Sequence, residues 1–427
     1  MKFIKFLVFS LMFFIPFFIL GCSNSNINDD NKAPEAPTYS ITYNLDGGLL
    51  YESNINNFNS LDDLYNLKSP YKANNSFAGW YLDSDFNISL DSLSKTPTNN
   101  ITLYAKWEWY DIFTPTDFMN IKLNCNYRIN NDLDMSSIIN YKPIGNYDTP
   151  FVGTIEGNNH IISNLTINHD NDGYVGIFGC IKDSTIQNLR LKSINVLTST
   201  FYIDHTYAGT LVGKSSSSSL QEISITNLNV NISSSDYASV GGLIGHSFRD
   251  NIYKCRITKN ELENTVSYTS SSSSCEIGGF VGENYSTINV CYSMVSVLAS
   301  CSKPPRFGYV YVGAFAGINH SGGIINQVYS YGSAESTLGE SLEGGLIGLN
   351  TGVVSNFFIH ETGSCNGAFD TQNGVVSNGY RIGNATYPHT TNITNINNIF
   401  DSTFMKNTVK FTDSSWYFEN GYYPEIR

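Results

Sequence analysis

Through most of this chain, apolar residues come in groups of two or three bracketed by glycine, and never at the 3.6-residue spacing of a helix. Gly176-Ile177-Phe178-Gly179 is followed by Gly209-Thr210-Leu211-Val212-Gly213 and Gly241-Gly242-Leu243-Ile244-Gly245. The pattern returns as Gly278-Gly279-Phe280-Val281-Gly282, Gly313-Ala314-Phe315-Ala316-Gly317 and Gly344-Gly345-Leu346-Ile347-Gly348. Successive closing glycines are 34, 32, 37, 35 and 31 residues apart. A near-fixed period of this size means stacked units, each burying its apolar face on its neighbours. Two or three apolar residues are too few for a helix, in whose interior each flanking glycine would cost about 1 kcal/mol. A short strand between tight turns fits instead.

About ten residues further on, most units carry a second alternation, as in Ile186-x-x-Leu189-x-Leu191, Ile223-x-Ile225-x-x-Leu228-x-Val230 and Ile324-Ile325-x-x-Val328. A third β-prone run often follows, such as Ser193 to Leu197. Three short strands per unit predict the coils of a parallel β-helix, rising about 4.8 Å per turn. Glycine is expected where a coil turns sharply or one backbone passes close to another. That makes Gly176, Gly179, Gly209, Gly213, Gly242, Gly245, Gly279, Gly282, Gly313, Gly317, Gly345 and Gly348 structural positions without chemistry. The serine runs Ser215–Ser219 and Ser270–Ser274 are expected in flexible turn loops.

The segment Gly344-Gly345-Leu346-Ile347-Gly348-Leu349-Asn350-Thr351-Gly352-Val353-Val354-Ser355-Asn356 resembles the GLUG motif, G-G-L-V-G-x-N-x-G-x-I-x-N. Gly278–Asn284 and Gly313–Asn319 match its first half; Gly245-His246-Ser247 departs from it at the asparagine, and a late copy near Gly367–Asn378 keeps Gly374 to Asn378. The lead-in segment, with Asn131-Asp132-Leu133-Asp134-Met135 and Phe151 to Ile162, also resembles GLUG-containing surface proteins, as does the end from Trp416 to Pro424. The resemblance implies a right-handed parallel β-helix over roughly residues 110–427: lead-in 110–175, GLUG-type coils 176–378 and a C-terminal cap 379–427.

Residues 39–109 read differently. Ile41 to Leu45 alternates before Asp46-Gly47-Gly48, and Phe77-Ala78-Gly79-Trp80-Tyr81 and Ile101 to Trp107 are further strands. Together they resemble the Listeria–Bacteroides repeat, the B-repeat of internalin-type surface proteins, which implies a small β-grasp (ubiquitin-like) domain. Trp80 and Trp107 are read as core, with a sugar-stacking platform as the alternative.

The N-terminus is that of an exported protein. Lys2 and Lys5 precede sixteen uncharged residues, too few for a spanning helix of about 20. Leu20-Gly21-Cys22 resembles a bacterial lipobox, which implies removal of residues 1–21, lipidation of Cys22 and a membrane anchor of several acyl chains. An ordinary signal peptide with an incidental cysteine is the alternative. Residues 22–38 then form a tether, and Ser23 carries no inner-membrane retention signal, so the surface of an outer membrane is open to it.

The net charge is −13, from 24 basic and 37 acidic residues, and becomes 22 − 37 = −15 without residues 1–21. An acidic chain with no basic cluster makes nucleic acid an unsuitable partner. The seven remaining cysteines show no repeated spacing, so neither a disulfide framework nor a metal site is expected, although Cys291 with Cys301 is open. The repeat-region carboxylates, among them Asp170, Asp172, Asp250, Glu276, Glu283 and Glu361, recur at no fixed point of the coil. Asp170 with Asp172 is read as a solvated turn before a calcium site, and His160 as a strand residue before a base. His360-Glu361 lacks the second histidine of H-E-x-x-H. No catalytic residue, metal ligand or cofactor is named. The expectation is a non-catalytic cell-surface lipoprotein that binds a glycan or protein ligand. The alternatives are a glycan-active β-helix enzyme, supported by carboxylates converging in one groove, and a purely structural spacer.

Overall fold

The computed structural model describes residues 37–427 except 73–74, 169, 171–172, 201–203, 260–262, 271–273, 302–308, 338–340, 362–367, 383–392, 397–401 and 420–421. The signal segment, Cys22, Asp172 and Cys365 lie outside the described residues. Among the described residues no helix is long and apolar enough to cross a membrane.

The front module is a four-stranded mixed sheet. Strand Tyr39–Asn44 runs antiparallel to Asn57–Phe58 and parallel to Ile101–Glu108, which in turn pairs antiparallel with Ser76–Tyr81. Its one α-helix, Leu61–Tyr65, starts at a reciprocal capping box between Ser60 and Asp63, which satisfies backbone N–H groups that the first turn leaves unpaired. Leu64 of that helix joins Ile41, Phe58, Trp80 and Leu103 in the core. Trp80 is buried in the core, and Trp107 is partly buried, packs against that core and donates from its ring nitrogen to Leu45 O at 3.0 Å.

Beyond Glu108 the described residues are mostly β-strand and almost wholly parallel, a β-helix-like stack of coils with short helices at Pro115–Met119 and Ser402–Asn407. Residues one period apart lie side by side. Ile155, Ile186, Leu220, Ile252, Ile288, Ile325, Val354 and Val376 form one continuous buried ladder. Each such side chain contributes about 1.5–3 kcal/mol by leaving water, and this repeated burial holds the stack together. The late copy conforms too, since Phe369–Gln372 and Val375–Ile382 pair in register with the strands before them.

Two corners of the coil are made differently. At the pentad the glycines do not supply a left-handed backbone: none of the twelve has a φ in that region. What they allow is contact. A Cβ on Gly282 would lie 2.6 Å from Gly245 O, one on Gly245 2.7 Å from Gly213 O, and one on Gly317 2.8 Å from Gly282 O. The left-handed corner comes two residues after the buried ladder position, with φ between 50° and 57°. It is occupied by Asn188, Glu222, Lys254, Val290, Gln327, Asn356 and Asn378. The expectation of glycine at the sharp turns is corrected here: these side chains project outward, and the roughly 1–2 kcal/mol of a left-handed residue is small beside the core it joins.

The serine runs also differ from expectation. Ser215 and Ser216 end strand Val212–Ser216, Ser219 opens Ser219–Gln221, and Ser215 and Ser218 are buried. Serine is small enough to sit under the coil while its hydroxyl bonds backbone: Ser218 Oγ donates to Ser216 O at 2.9 Å and accepts from Ser184 N at 3.1 Å. Of the second run, Ser270 ends a strand and Ser274 is buried.

The C-terminal residues do not simply cap the stack. Strand Ile393–Ile396 extends it by pairing with Gly379–Ile382. Residues 402–419 and 422–427 fold back along its flank, over an outward ladder of Tyr292, Tyr329 and Phe358 whose rings stack at 4.6 and 4.5 Å. Trp416 and Phe411 pack onto that ladder, Tyr329 donates to Pro424 O at 2.9 Å, and Tyr253 donates to Asp413 at 2.9 Å.

Candidate functional site in the glycine corner

Each pentad joins a strand of a six-stranded parallel sheet to a strand of the larger sheet. The first set comprises Tyr174–Val175, His205–Gly209, Tyr237–Gly241, Cys275–Gly278, Val310–Gly313 and Leu342–Gly344. Alternation points every second side chain away from the core, and in-register pairing lines those side chains into ladders. On the strands before the pentad the ladder runs Tyr174, Tyr207, Ser239, Glu276, Tyr311, Leu342. On the strands after it, the facing ladder runs Cys180, Lys214, His246, Glu283, Ile318, Leu349.

The two ladders touch, so the corner is re-entrant. The Tyr207 and His246 rings meet edge to face at 5.3 Å, and Lys214 Nζ lies 4.5 Å above the Tyr207 ring and 5.2 Å from that of Tyr147. Tyr147, Tyr174 and Tyr207 stack along the coil axis at 6.1 and 5.6 Å. Beside them a cleft of about 520 Å³ is lined by Tyr147, Lys182, Lys214, Ser216, His246 and Phe248.

At the middle of the corner the polar side chains converge. Ser239 Oγ contacts Glu283 Oε1, lies 3.3 Å from Glu276 Oε2, and is 2.9 Å from His205 Nε2. His205 Nε2 is 3.7 Å from Glu283 Oε1, and His320 Nε2 reaches Glu283 Oε2 at 3.4 Å. His320 is held by stacking on Tyr285, with ring centres 3.9 Å apart. One ligand atom each from His205, Glu276 and Glu283 all fall within 4.8 Å of one another.

The two carboxyls are driven apart electrostatically. Burial and the charge of Glu283 push the Glu276 carboxyl well above the usual carboxylate range. Burial also pushes Glu283 up, but contacts from His320 and Ser239, with His246 and His205 nearby, outweigh it and hold that carboxyl at about 2. Burial takes both His205 and His246 down to about 4 against the pull of Glu283. With those imidazoles neutral, the Glu283 charge rests on the Ser239 hydroxyl and the His320 edge. Two carboxyls of unequal acidity beside imidazoles can bind a cation, accept hydrogen bonds from hydroxyls, or exchange a proton with a bound group.

In the sequence Glu276 and Glu283 recur at no fixed point of the coil and are not expected to form a site; the structure corrects this by folding them around one pentad to the same point, beside His205 and Ser239 of preceding coils. Aligning the repeats on their closing glycines finds both ladders, six residues before that glycine and one after it in the five full pentads. The other candidates stay apart. Asp170 accepts from Ser199 N at 2.8 Å, and His160 meets Asp132 at 3.0 Å in the lead-in segment. His360 contacts the Tyr423 hydroxyl under the C-terminal segment. Cys291 is a free buried thiol that accepts from Cys255 N at 3.4 Å. Asp250 is buried among serines as part of the coil's own hydrogen bonding.

Residues 39–106 match the Listeria-Bacteroides repeat domain family, which is the front module. The corner lies wholly outside that match. No curated protein matches the chain.

Proposed function

We propose that the chain is a lipid-anchored cell-surface protein whose glycine corner binds an extended polar ligand, a glycan chain. The observation that carries this reading is the pair of facing ladders. They set stacked tyrosines, Lys214, His246 and Glu283 along one re-entrant corner that runs with the coil axis, as a linear ligand would. Flat rings beside hydrogen-bonding groups suit the alternating apolar faces and hydroxyl edges of a sugar, and the net charge of −13 suits no nucleic acid.

The rest of the reading follows the sequence. Cys22 carries the anchor, residues 22–38 are the tether, the front module is a β-grasp domain that spaces the stack from the membrane, and the coils form a right-handed β-helix of GLUG type. A protein ligand is the alternative occupant of the same corner. A glycan-active enzyme is supported by the unequal pair Glu276 and Glu283, but Glu276 is 1% exposed and its Oε2 accepts from the Ser239 hydroxyl.

The test is a glycan array probed with the full chain and with Tyr207→Ala and Lys214→Ala. Binding that weakens about fivefold or more in each variant supports the reading, since ring and cation contacts of this kind contribute on the order of 1 kcal/mol. An array without binding, or binding indifferent to both variants, sinks it.

A further inference from the structure

We infer that His205, Glu276 and Glu283 form a binding site for one divalent first-row transition metal ion of the zinc class. The donors come from two coils and meet where Ser239, from the coil between, packs against all three. Their ligand atoms lie within 4.8 Å of one another. Zinc takes nitrogen and carboxylate oxygen at about 2.0–2.2 Å, so two ligands of a tetrahedral ion stand about 3.4 Å apart, and side-chain rotations close the difference.

The donor set selects the ion. One imidazole with two carboxylates is a mixed nitrogen–oxygen set, which suits zinc, manganese or iron; calcium and magnesium prefer oxygen throughout. Three protein ligands also leave a fourth position free. It opens beside His205 and His320, whose side chains are 25% and 27% exposed, so an ion can enter from the corner. His320 Nε2 and His246 Nδ1 are both buried without a hydrogen-bond partner. His320 Nε2 sits 3.4 Å from Glu283, close enough to become a fourth ligand.

The arrangement is hard to explain as scaffold. Neighbouring coils fill the same two ladder positions with tyrosine and lysine, or with tyrosine and isoleucine, and stack in the same register. Two buried carboxyls face each other here, and nothing in the coil requires them. A cation between them is held by both carboxyls and the His205 imidazole.

The test uses the untagged full chain, stripped with a chelator and titrated with Zn²⁺ alone by calorimetry. One ion per chain is expected, with binding weakened at least tenfold in Glu283→Gln, Glu276→Gln and His205→Ala. His160→Ala, remote from the corner, should bind as the parent does. Circular dichroism of each stripped variant separates lost binding from lost folding, and Glu276→Gln keeps the shape of the side chain it replaces. Co²⁺ in place of Zn²⁺ should give the intense visible absorption of a four-coordinate site. No stoichiometric Zn²⁺ uptake, uptake unchanged in a folded Glu283→Gln, or Ca²⁺ bound in preference to Zn²⁺ each overturns the proposal. Every readout is taken without a glycan, so it stands or falls separately from the ligand proposed for the corner.

Discussion

Glu276 and Glu283, seven residues apart, lie on opposite sides of one glycine pentad and meet at the same serine hydroxyl. Seven residues of an ordinary strand would carry two side chains more than 20 Å apart. The pentad folds that span back on itself because its backbone packs directly on the backbone of the neighbouring coil.

Gly282→Ala should therefore be severe for a single methyl group. The new carbon would meet Gly245 O at 2.6 Å and Val240 N at 2.7 Å, both backbone atoms held in ladders on either side. A loss of about 1–3 kcal/mol or more is expected in urea unfolding. Gly322→Ala is the comparison: its φ is +94° but nothing lies within 4 Å, so about 1–2 kcal/mol of backbone strain is the whole effect. Equal losses at the two sites would show that contact is not what the pentad glycine provides.

Asn319 is the middle of a buried amide ladder, accepting from Asn284 Nδ2 at 2.8 Å and donating to Asn350 Oδ1 at 2.8 Å. Asn319→Ala leaves one buried N–H of Asn284 unpaired, while Asn284 Nδ2 keeps Ser286 O and Asn350 Oδ1 keeps the Gly352 N–H. A loss of about 1–3 kcal/mol is expected by thermal or urea unfolding. Asn326→Ala, in a half-buried ladder that water reaches, should lose much less. A smaller effect at Asn319 than at Asn326 would contradict this account of the ladder.

Asp250 gives a pH signature. Burial pushes its carboxyl from 3.8 up to about 6, against hydrogen bonds from Ser247 Oγ at 2.6 Å and from the Ser218 N–H at 2.8 Å. The folded value lies above the unfolded one, so the folded state holds the proton more tightly. Its contribution is fully present below pH 4, is lost as pH rises through 6, and is constant above. Two pKa steps amount to about 3 kcal/mol. The difference in unfolding free energy between Asp250→Asn and the parent should change by up to that amount between pH 4 and 7. A difference independent of pH would leave Asp250 with an ordinary carboxyl.

Trp416 joins the C-terminal segment to the outside of the stack, buried against Phe411 at 4.6 Å and beside Tyr292 and Tyr329. Trp416→Ala should cost about 3–5 kcal/mol and expose the tyrosine ladder to solvent, seen as lower denaturant midpoints and dye binding by the folded state. Unchanged midpoints would mean that residues 402–427 add nothing to the stability of the coils.

The stack itself was legible because its cause is local and repeated: Gly278 to Gly282 and its five relatives fix a spacing, and Ile186, Leu220, Ile252 and Ile288 repeat one buried position. The turn chemistry was not. Glu222, Lys254 and Val290 take the left-handed corner because core burial overrides a small backbone preference that sequence reading weights heavily. Ser218 reads as linker by composition, yet it is buried by register, which composition does not encode. The corner cluster was hidden for a related reason. Tyr207, Ser239, Glu276 and Tyr311 occupy one structural position with three chemistries, so no motif recurs to mark it. The front module was legible from its turns and tryptophans, whereas Cys22 lies outside the described residues.

In-register stacking makes the chemistry of the corner depend on the order in which coils follow one another. Excising the coil that carries Ser239 and His246 would set Tyr207 beside Glu276 and Lys214 beside Glu283, while every glycine still met a glycine. A shared-hydroxyl pair would become a lysine–glutamate pair with no side chain altered. Recombination at repeat boundaries is thus a route by which such a chain can exchange one ligand preference for another in a single step, leaving its architecture intact.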